Sequence, residues 1–321
     1  MTFGAEVRAR LRCPDCQGAL SAEPALLACL RPGCGATFPV VNGVPVLIDE
    51  ERSVFADARR GAAGPVSFDE SAEPGWKRRL RPALPKLGRN LCANRMLDEL
   101  ARRLGEGPGR ARVLIVGGGV LGGGMEALVA DDRIELVEGD VYFGPRADVL
   151  FDAHDIPFAG ETFDAVVAQA VLEHVLDPQR CIEEFARVLK PRGLVYAETP
   201  FMQQVHGGAY DFTRFSLLGH RRLFRRFEEI DSGMALGPGT ALAWSWTYFL
   251  ASFCRTPRSR SAAHLAGRLT AFFWKWFDPY LARRPAALDA ASGMYFLGVK
   301  GRPGWALSDR DLIASYRGIH G

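Results

Sequence analysis

Residues 152–200, DAHDIPFAGETFDAVVAQAVLEHVLDPQRCIEEFARVLKPRGLVYAETP, decide the fold of this chain. Phe163 and Asp164 open an apolar run, AVVAQAV, whose length and composition suit a buried strand. Asp177 then offers an N-cap, and Pro178 fits the first helical position, where its missing N–H leaves nothing unsatisfied. Ile182, Phe185, Val188 and Leu189 recur at helical spacing and make one apolar face. Lys190-Pro-Arg-Gly193 stops the helix, and LVYAET reads as the next strand. Strand, helix and strand at this spacing argue for parallel neighbours joined by a crossover.

The alternation continues upstream. Asn90–Leu104 places Leu91, Met96, Leu97, Leu100 and Leu104 at helical spacing, and Gly105, Gly107 and Gly109 end that helix. Arg112–Val116 is a short apolar strand, followed by Gly117, Gly118, Gly119, Val120, Leu121 and Gly122, with a helix from about Met125. Glycines here let the backbone turn sharply and approach a ligand beside a helix N-terminus. Gly117–Gly122 also fits G-x-G-x-x-G, the dinucleotide fingerprint, so an NAD-dependent oxidoreductase stays open. A second strand, RIELV, leads to Glu138 and Asp140; either carboxylate can accept hydrogen bonds from ribose hydroxyls. A third, ADVLF, ends at Asp152. Gln169 sits at the end of the fourth, on the carboxyl edge where open α/β sheets place ligands.

DAHDIPF, LEHV and LKPRG, in that order, resemble the class I S-adenosylmethionine-dependent methyltransferases over about residues 110–235. The resemblance implies an α/β fold: a doubly wound, seven-stranded Rossmann-like sheet closed by an antiparallel hairpin. It implies S-adenosylmethionine as cofactor, with Gly117, Gly118 and Gly119 as the ligand loop and Gln169 beside it. Asp140 is preferred over Glu138 for the ribose. Asp152 would hydrogen-bond the adenine amino group, with Ala153 against the ring. The loop departs from the family at Ile115 and Leu121, where an acidic residue and a glycine are usual.

After strand five, His206, Tyr210, Asp211, Arg214 and His220 are polar groups set among aromatics. In the resembled family this region helps form the acceptor pocket. His206 and His174 are the candidate general bases if the acceptor is a hydroxyl. The acceptor itself is expected to be a small molecule or a glycan or lipid intermediate. Arg221, Arg222, Arg225 and Arg226 read as a solvated helix face. FEEIDSGM at 227–234 and GMYFLGVKG at 293–301 suit the sixth and seventh strands. The intervening insertion, about 236–291, is too long for a hairpin loop. Its aromatic-rich segment 241–284 suits core packing, a lid, self-association or a membrane-surface contact.

At the other end, Cys13, Cys16, Cys29 and Cys34 are spaced C-x2-C and C-x4-C, a set that suits a closed tetrahedral zinc site. LRCPDCQGAL and FPVVNGVPVLI resemble the small zinc-ribbon proteins that activate tRNA and translation-factor methyltransferases. That likeness, with the altered glycine loop, keeps open a methyltransferase-like scaffold that binds a protein partner without turnover. The expected organisation is a zinc ribbon over 1–50, a linker over 51–88, a methyltransferase domain over 89–304 and a tail over 305–321. With 321 residues, 48% hydrophobic and 24% charged, the chain has ordinary globular composition. A net charge of +3 gives no reason to expect nucleic acid. No apolar run of signal-peptide or membrane-spanning type is present, so a cytoplasmic location is expected.

Overall fold

The computed structural model describes residues 4–49, 51–55 and 84–320. Its centre is a sheet of ten strands in the order β1-β2-β3-β6-β5-β4-β7-β8-β10-β9. The strands are β1 (Leu26–Ala28), β2 (Thr37–Val41), β3 (Val44–Leu47), β4 (Ala111–Val116), β5 (Ile134–Asp140), β6 (Val149–Phe151), β7 (Phe163–Gln169), β8 (Leu189–Pro200), β9 (Phe227–Leu236) and β10 (Gly293–Lys300). β4, β5, β6, β7 and β8 run parallel, and β10 lies antiparallel between β8 and β9. Their carboxyl ends therefore meet along one edge.

The expected sheet of seven strands is present, but three more continue it. β3 pairs in parallel with β6 through Val46–Leu150 and Leu47–Phe151. The physical reason is that β6 would otherwise present an unpaired edge, and the NGVPVLI run is apolar enough to be buried there. Val46, Leu47 and Ile48 are each at most 3% exposed. The cysteine-bearing segment is thus built into the sheet. Its chain also bonds to the loop after β6: Arg12 N–H donates to Pro157 O at 2.9 Å and Ala159 N–H to Arg10 O at 2.8 Å.

Two apolar layers sandwich the sheet. The helix Ala93–Gly105 lays Met96, Leu97, Leu100 and Leu104 against Val113, Ile115, Val167 and Tyr196. It starts three residues later than its periodicity suggests, because Asn90 Oδ1 accepts from the N–H groups of Cys92 and Ala93. The helix Pro178–Val188 buries Ile182, Phe185 and Val188 on the other face, with Asp177 accepting from Arg180 N–H as the expected cap.

The insertion between β9 and β10 is helical: Pro238–Ser252, Pro257–Ala271 and shorter turns to Ala290. It leaves Trp246, Phe249, Phe253, Trp276 and Tyr280 exposed. Among the described residues no helix is long and apolar enough to cross a membrane. Arg221 departs from the expected solvated face. It is 8% exposed and pairs with Glu229 at 2.7 Å and Ser315 Oγ at 2.6 Å. Residues 56–83 of the expected linker lie outside the described residues. The ends of the expected linker are docked: Leu87 packs on Ala243 and Ala271, and Phe55 stacks on Tyr210 at 5.3 Å between ring centroids.

Candidate functional site

The turn after β4 is tied to the end of β5. Gly117 has φ +75°, and a Cβ there would lie 2.6 Å from Val171. Gly119 N–H donates to Asp140 Oδ2 at 2.8 Å, and a Cβ on Gly119 would meet the same oxygen at 2.7 Å. Asp140 Oδ1 accepts from Val141 N–H at 2.7 Å and Tyr142 N–H at 3.2 Å. Burial raises the Asp140 carboxyl pKa above its ordinary value, and the three N–H donors oppose that rise. Gly118 lies over Glu138, two residues back on the same face of β5. The Glu138 carboxylate, however, turns to Arg146, which grips it with Nε at 2.8 Å and with a second nitrogen. Of the two candidate acids, Asp140 is the one whose carboxylate bonds to the glycine turn.

One strand over, Asp152 is 6% exposed. Its Oδ1 accepts from His154 N–H at 3.0 Å and from His154 Nδ1–H, and its Oδ2 accepts from the Ser53 hydroxyl. Burial pushes this carboxyl up, but the hydrogen bonds from His154 and Ser53 outweigh it and hold the pKa below the ordinary value. His154 Nε2 accepts from Asp177 N–H at 3.0 Å, so the imidazole is fixed as the Nδ1–H tautomer. An adenine amino group at Asp152 would compete with Ser53. Ala153, expected against the adenine ring, is 5% exposed and packs in the core.

Gln169 ends β7 beneath the turn. Its Nε2 donates to Gly123 O at 3.1 Å and to Glu198 Oε1 at 3.0 Å. Its buried Oε1 has no hydrogen-bond partner among the described residues. Glu198 also accepts from Asn90 Nδ2 at 2.7 Å and from the Tyr196 hydroxyl, and its pKa is raised by burial. Asn90, Glu198 and Ser53 are residues that spacing did not single out. Each reaches the edge from a segment distant in sequence. A groove of about 570 Å³ between the helix Ala93–Gly105 and β9 contains none of these groups.

The two candidate bases meet just beyond Gln169. The His174 and His206 rings stand edge to face, with centroids 5.0 Å apart. Between them is Glu173, fully buried, whose carboxyl is pushed up to about 8 by burial. Its Oε1 lies 3.7 Å from His174 Nε2 and 3.8 Å from His206 Nε2. Glu173 was legible only as part of LEHV, since nothing in its spacing marks a buried acid. Burial also lowers the His174 pKa. Asp211 carries Arg214 and accepts from His206 N–H at 2.8 Å and Gly207 N–H at 3.1 Å, which fixes the loop bearing His206. His220 is not part of this group; it is buried among Phe215, Phe224 and Phe296.

The sulfurs of Cys13, Cys16, Cys29 and Cys34 lie within 4.8 Å of one another. Cys13 and Cys34 are 3.9 Å apart, Cys16 and Cys29 are 3.5 Å apart, and none is in a disulfide. Four thiolates each about 2.3 Å from a tetrahedral zinc would stand about 3.8 Å apart, so the donor set fits that ion. A hydrogen bond from Gly18 N–H brings the Cys16 thiol down to about 7, whereas burial raises the Cys13 and Cys29 thiols, so the fit rests on the geometry of the four sulfurs.

Residues 132–197 match the family model described as a methyltransferase domain. A demethylmenaquinone methyltransferase of Clavibacter sepedonicus is 36% identical over 77 residues, 24% of this chain and 26% of that protein. A ubiquinone biosynthesis O-methyltransferase of Mesorhizobium japonicum is 29% identical over 123 residues, 32% of this chain and 48% of that protein. The chain thus spans about a quarter to a half of the length of these curated relatives. Among solved structures, phosphoethanolamine N-methyltransferase 2 of Haemonchus contortus, in complex with S-adenosyl-L-methionine, is similar at 16% identity with a TM-score of 0.41, covering 65% of this chain and 53% of that one. The cysteine-bearing segment lies outside the family match.

Proposed function

We propose that this chain is an S-adenosylmethionine-dependent methyltransferase whose cofactor lies along the carboxyl ends of β4, β5, β6 and β7. The observation that carries the reading is the contact of the glycine turn with Asp140. These groups sit on the same edge as Asp152 and Gln169, and the methyltransferase-domain match includes all three side chains. The residues suit an adenosyl ligand. The turn excludes side chains, Asp140 offers ribose hydroxyls an acceptor, and buried Gln169 Oε1 lacks a donor among the described residues. When bound, the cofactor supplies a methyl group already made electrophilic by its sulfonium. The protein's part is then to align the acceptor, exclude water and accept a proton where one is released. His206 and His174 stand where an acceptor side of the site would be, beyond the end of β7.

In this reading the four cysteines hold a structural zinc ion. The segment they fold then supports the Asp152 loop, through β3 on one side and Ser53 on the other. A second reading, a methyltransferase-like scaffold that binds a protein partner without turnover, draws support from one feature. The oxygens of Asp152, like those of Asp140, already have partners within the chain.

Calorimetric titration of the full chain with S-adenosylmethionine, S-adenosylhomocysteine and NADH tests both readings. The expected result is binding of the first two and not the third. Asp140→Ala should weaken binding by about tenfold or more, the scale of a lost pair of hydrogen bonds to a charged group. Binding of NADH alone would refute the proposal. Absence of all three, with a protein partner recovered in pull-down, would favour the scaffold.

A further inference from the structure

We infer that Glu173, His174 and His206 form a binding site for one divalent first-row transition-metal ion, separate from the four cysteines. Tyr210 O can only accept, so His174 Nδ1 carries the proton that bonds it at 2.5 Å. His206 Nδ1 lies 3.3 Å from Gln204 O and 3.5 Å from Asp211 Oδ2, both acceptors. The two Nε2 atoms are thereby turned to Glu173 Oε1, at 3.7 and 3.8 Å.

Glu173 is fully buried, and apart from its own amide no group among the described residues donates a hydrogen bond to either carboxylate oxygen. The nearby guanidinium of Arg214 is engaged by Asp211, Gln203 O and Gln204 O. A carboxylate and two imidazole nitrogens therefore face one point, with no cationic side chain bonded to the carboxylate among the described residues. All three donor atoms lie within 4.8 Å of one another. An ion about 2.1 Å from each would set neighbouring donors about 3.0–3.4 Å apart, so each imidazole would close on Glu173 by roughly 0.3–0.8 Å, and the two imidazoles, whose donors lie within 4.8 Å, would draw together as well. Two imidazoles and one carboxylate on one side of an ion leave its other positions open. The Nδ1 atoms anchored on carbonyl and carboxylate acceptors are the outer contacts that orient metal-binding histidines. Glu173 and both imidazoles are held in place by backbone: Phe212 N–H donates to Glu173 O at 2.8 Å, and Asp211 fixes the turn carrying His206.

The test uses untagged, zinc-loaded full chain, dialysed in parallel against Mn²⁺, Ni²⁺ and Zn²⁺, with bound metal counted by mass spectrometry. The expected result is one additional ion per chain for at least one of the three. Its affinity should fall more than tenfold in Glu173→Gln and in His206→Ala, while cysteine-bound zinc is retained. Side-chain exposure of 26% at His206 makes that variant a safe companion to the fully buried Glu173→Gln. No additional ion in the wild type, or equal uptake by the wild type and both variants, would overturn the site. Because the readout is metal content, failure here is distinguishable from failure of the methyl-transfer proposal.

Discussion

His220 offers a quantitative check on the aromatic packing against β10. It is 0% exposed, and neither ring nitrogen has a hydrogen-bond partner among the described residues. Its neighbours are Phe224 at 5.1 Å, Phe215 at 6.0 Å and Phe296 at 6.5 Å between centroids. Burial in this apolar cage disfavours the imidazolium and lowers the pKa from 6.5 to about 3. Above pH 6.5 both folded and unfolded chains carry this ring neutral, and it contributes no pH dependence. As pH falls from 6.5 to 3, the unfolded chain takes up a proton that the folded chain refuses, so stability is lost. The linkage relation gives a loss of about 2 kcal/mol at pH 5, rising toward about 5 kcal/mol below pH 3. His220→Leu removes this term with little change in volume and leaves every other titrating group in place. Urea unfolding of both proteins at pH 8 and pH 5 isolates it. The wild type should lose about 2 kcal/mol more than the variant across that interval. The variant should also be the more stable at pH 8, since it removes two buried polar atoms without partners, each worth about 1–3 kcal/mol. Equal losses in the two proteins would mean that His220 titrates normally, and the buried aromatic cage would be wrong.

Other consequences follow from the edge of the sheet. Ser53→Ala should free Asp152 Oδ2 and tighten S-adenosylhomocysteine binding several-fold, about one hydrogen bond's worth, by calorimetry; unchanged affinity would show that Ser53 does not compete for that carboxylate. Removing metal with a strong chelator, or substituting Cys13→Ser, should lower the melting temperature and expose the β6 edge, read by circular dichroism and by amide exchange at Leu150 and Phe151. A metal-free chain with unchanged melting and exchange would contradict a structural role. Gly139→Ala should destabilise the chain by about 1–3 kcal/mol, because its Cβ would lie 1.9 Å from a Phe151 ring carbon; a neutral effect in urea unfolding would contradict that contact.

Much of this molecule was legible in the chain's own periodicity. The helix Pro178–Val188 followed from its cap, its proline and its apolar face. That the glycine turn, Asp140 and Asp152 stand at strand ends followed from the apolar runs before them, whereas the preference for Asp140 over Glu138 came from the family resemblance. These are local signals, set by backbone sterics and by spacing along a single element. Three things were not local. The pairing of β3 with β6 joins residues about a hundred positions apart, and no pattern in either strand names its partner. Ser53 on Asp152 depends on where the segment after β3 is carried by that pairing. The burial of Glu173 between His174 and His206 depends on a loop that returns thirty residues later, after β8 has turned the chain. Sequence determined which residues carry acceptors, thiols and glycines, and on which elements they stand. Tertiary structure alone decided which of them face one another, because burial and Coulombic interaction act through distance in space, and that distance is set by packing rather than by separation along the chain.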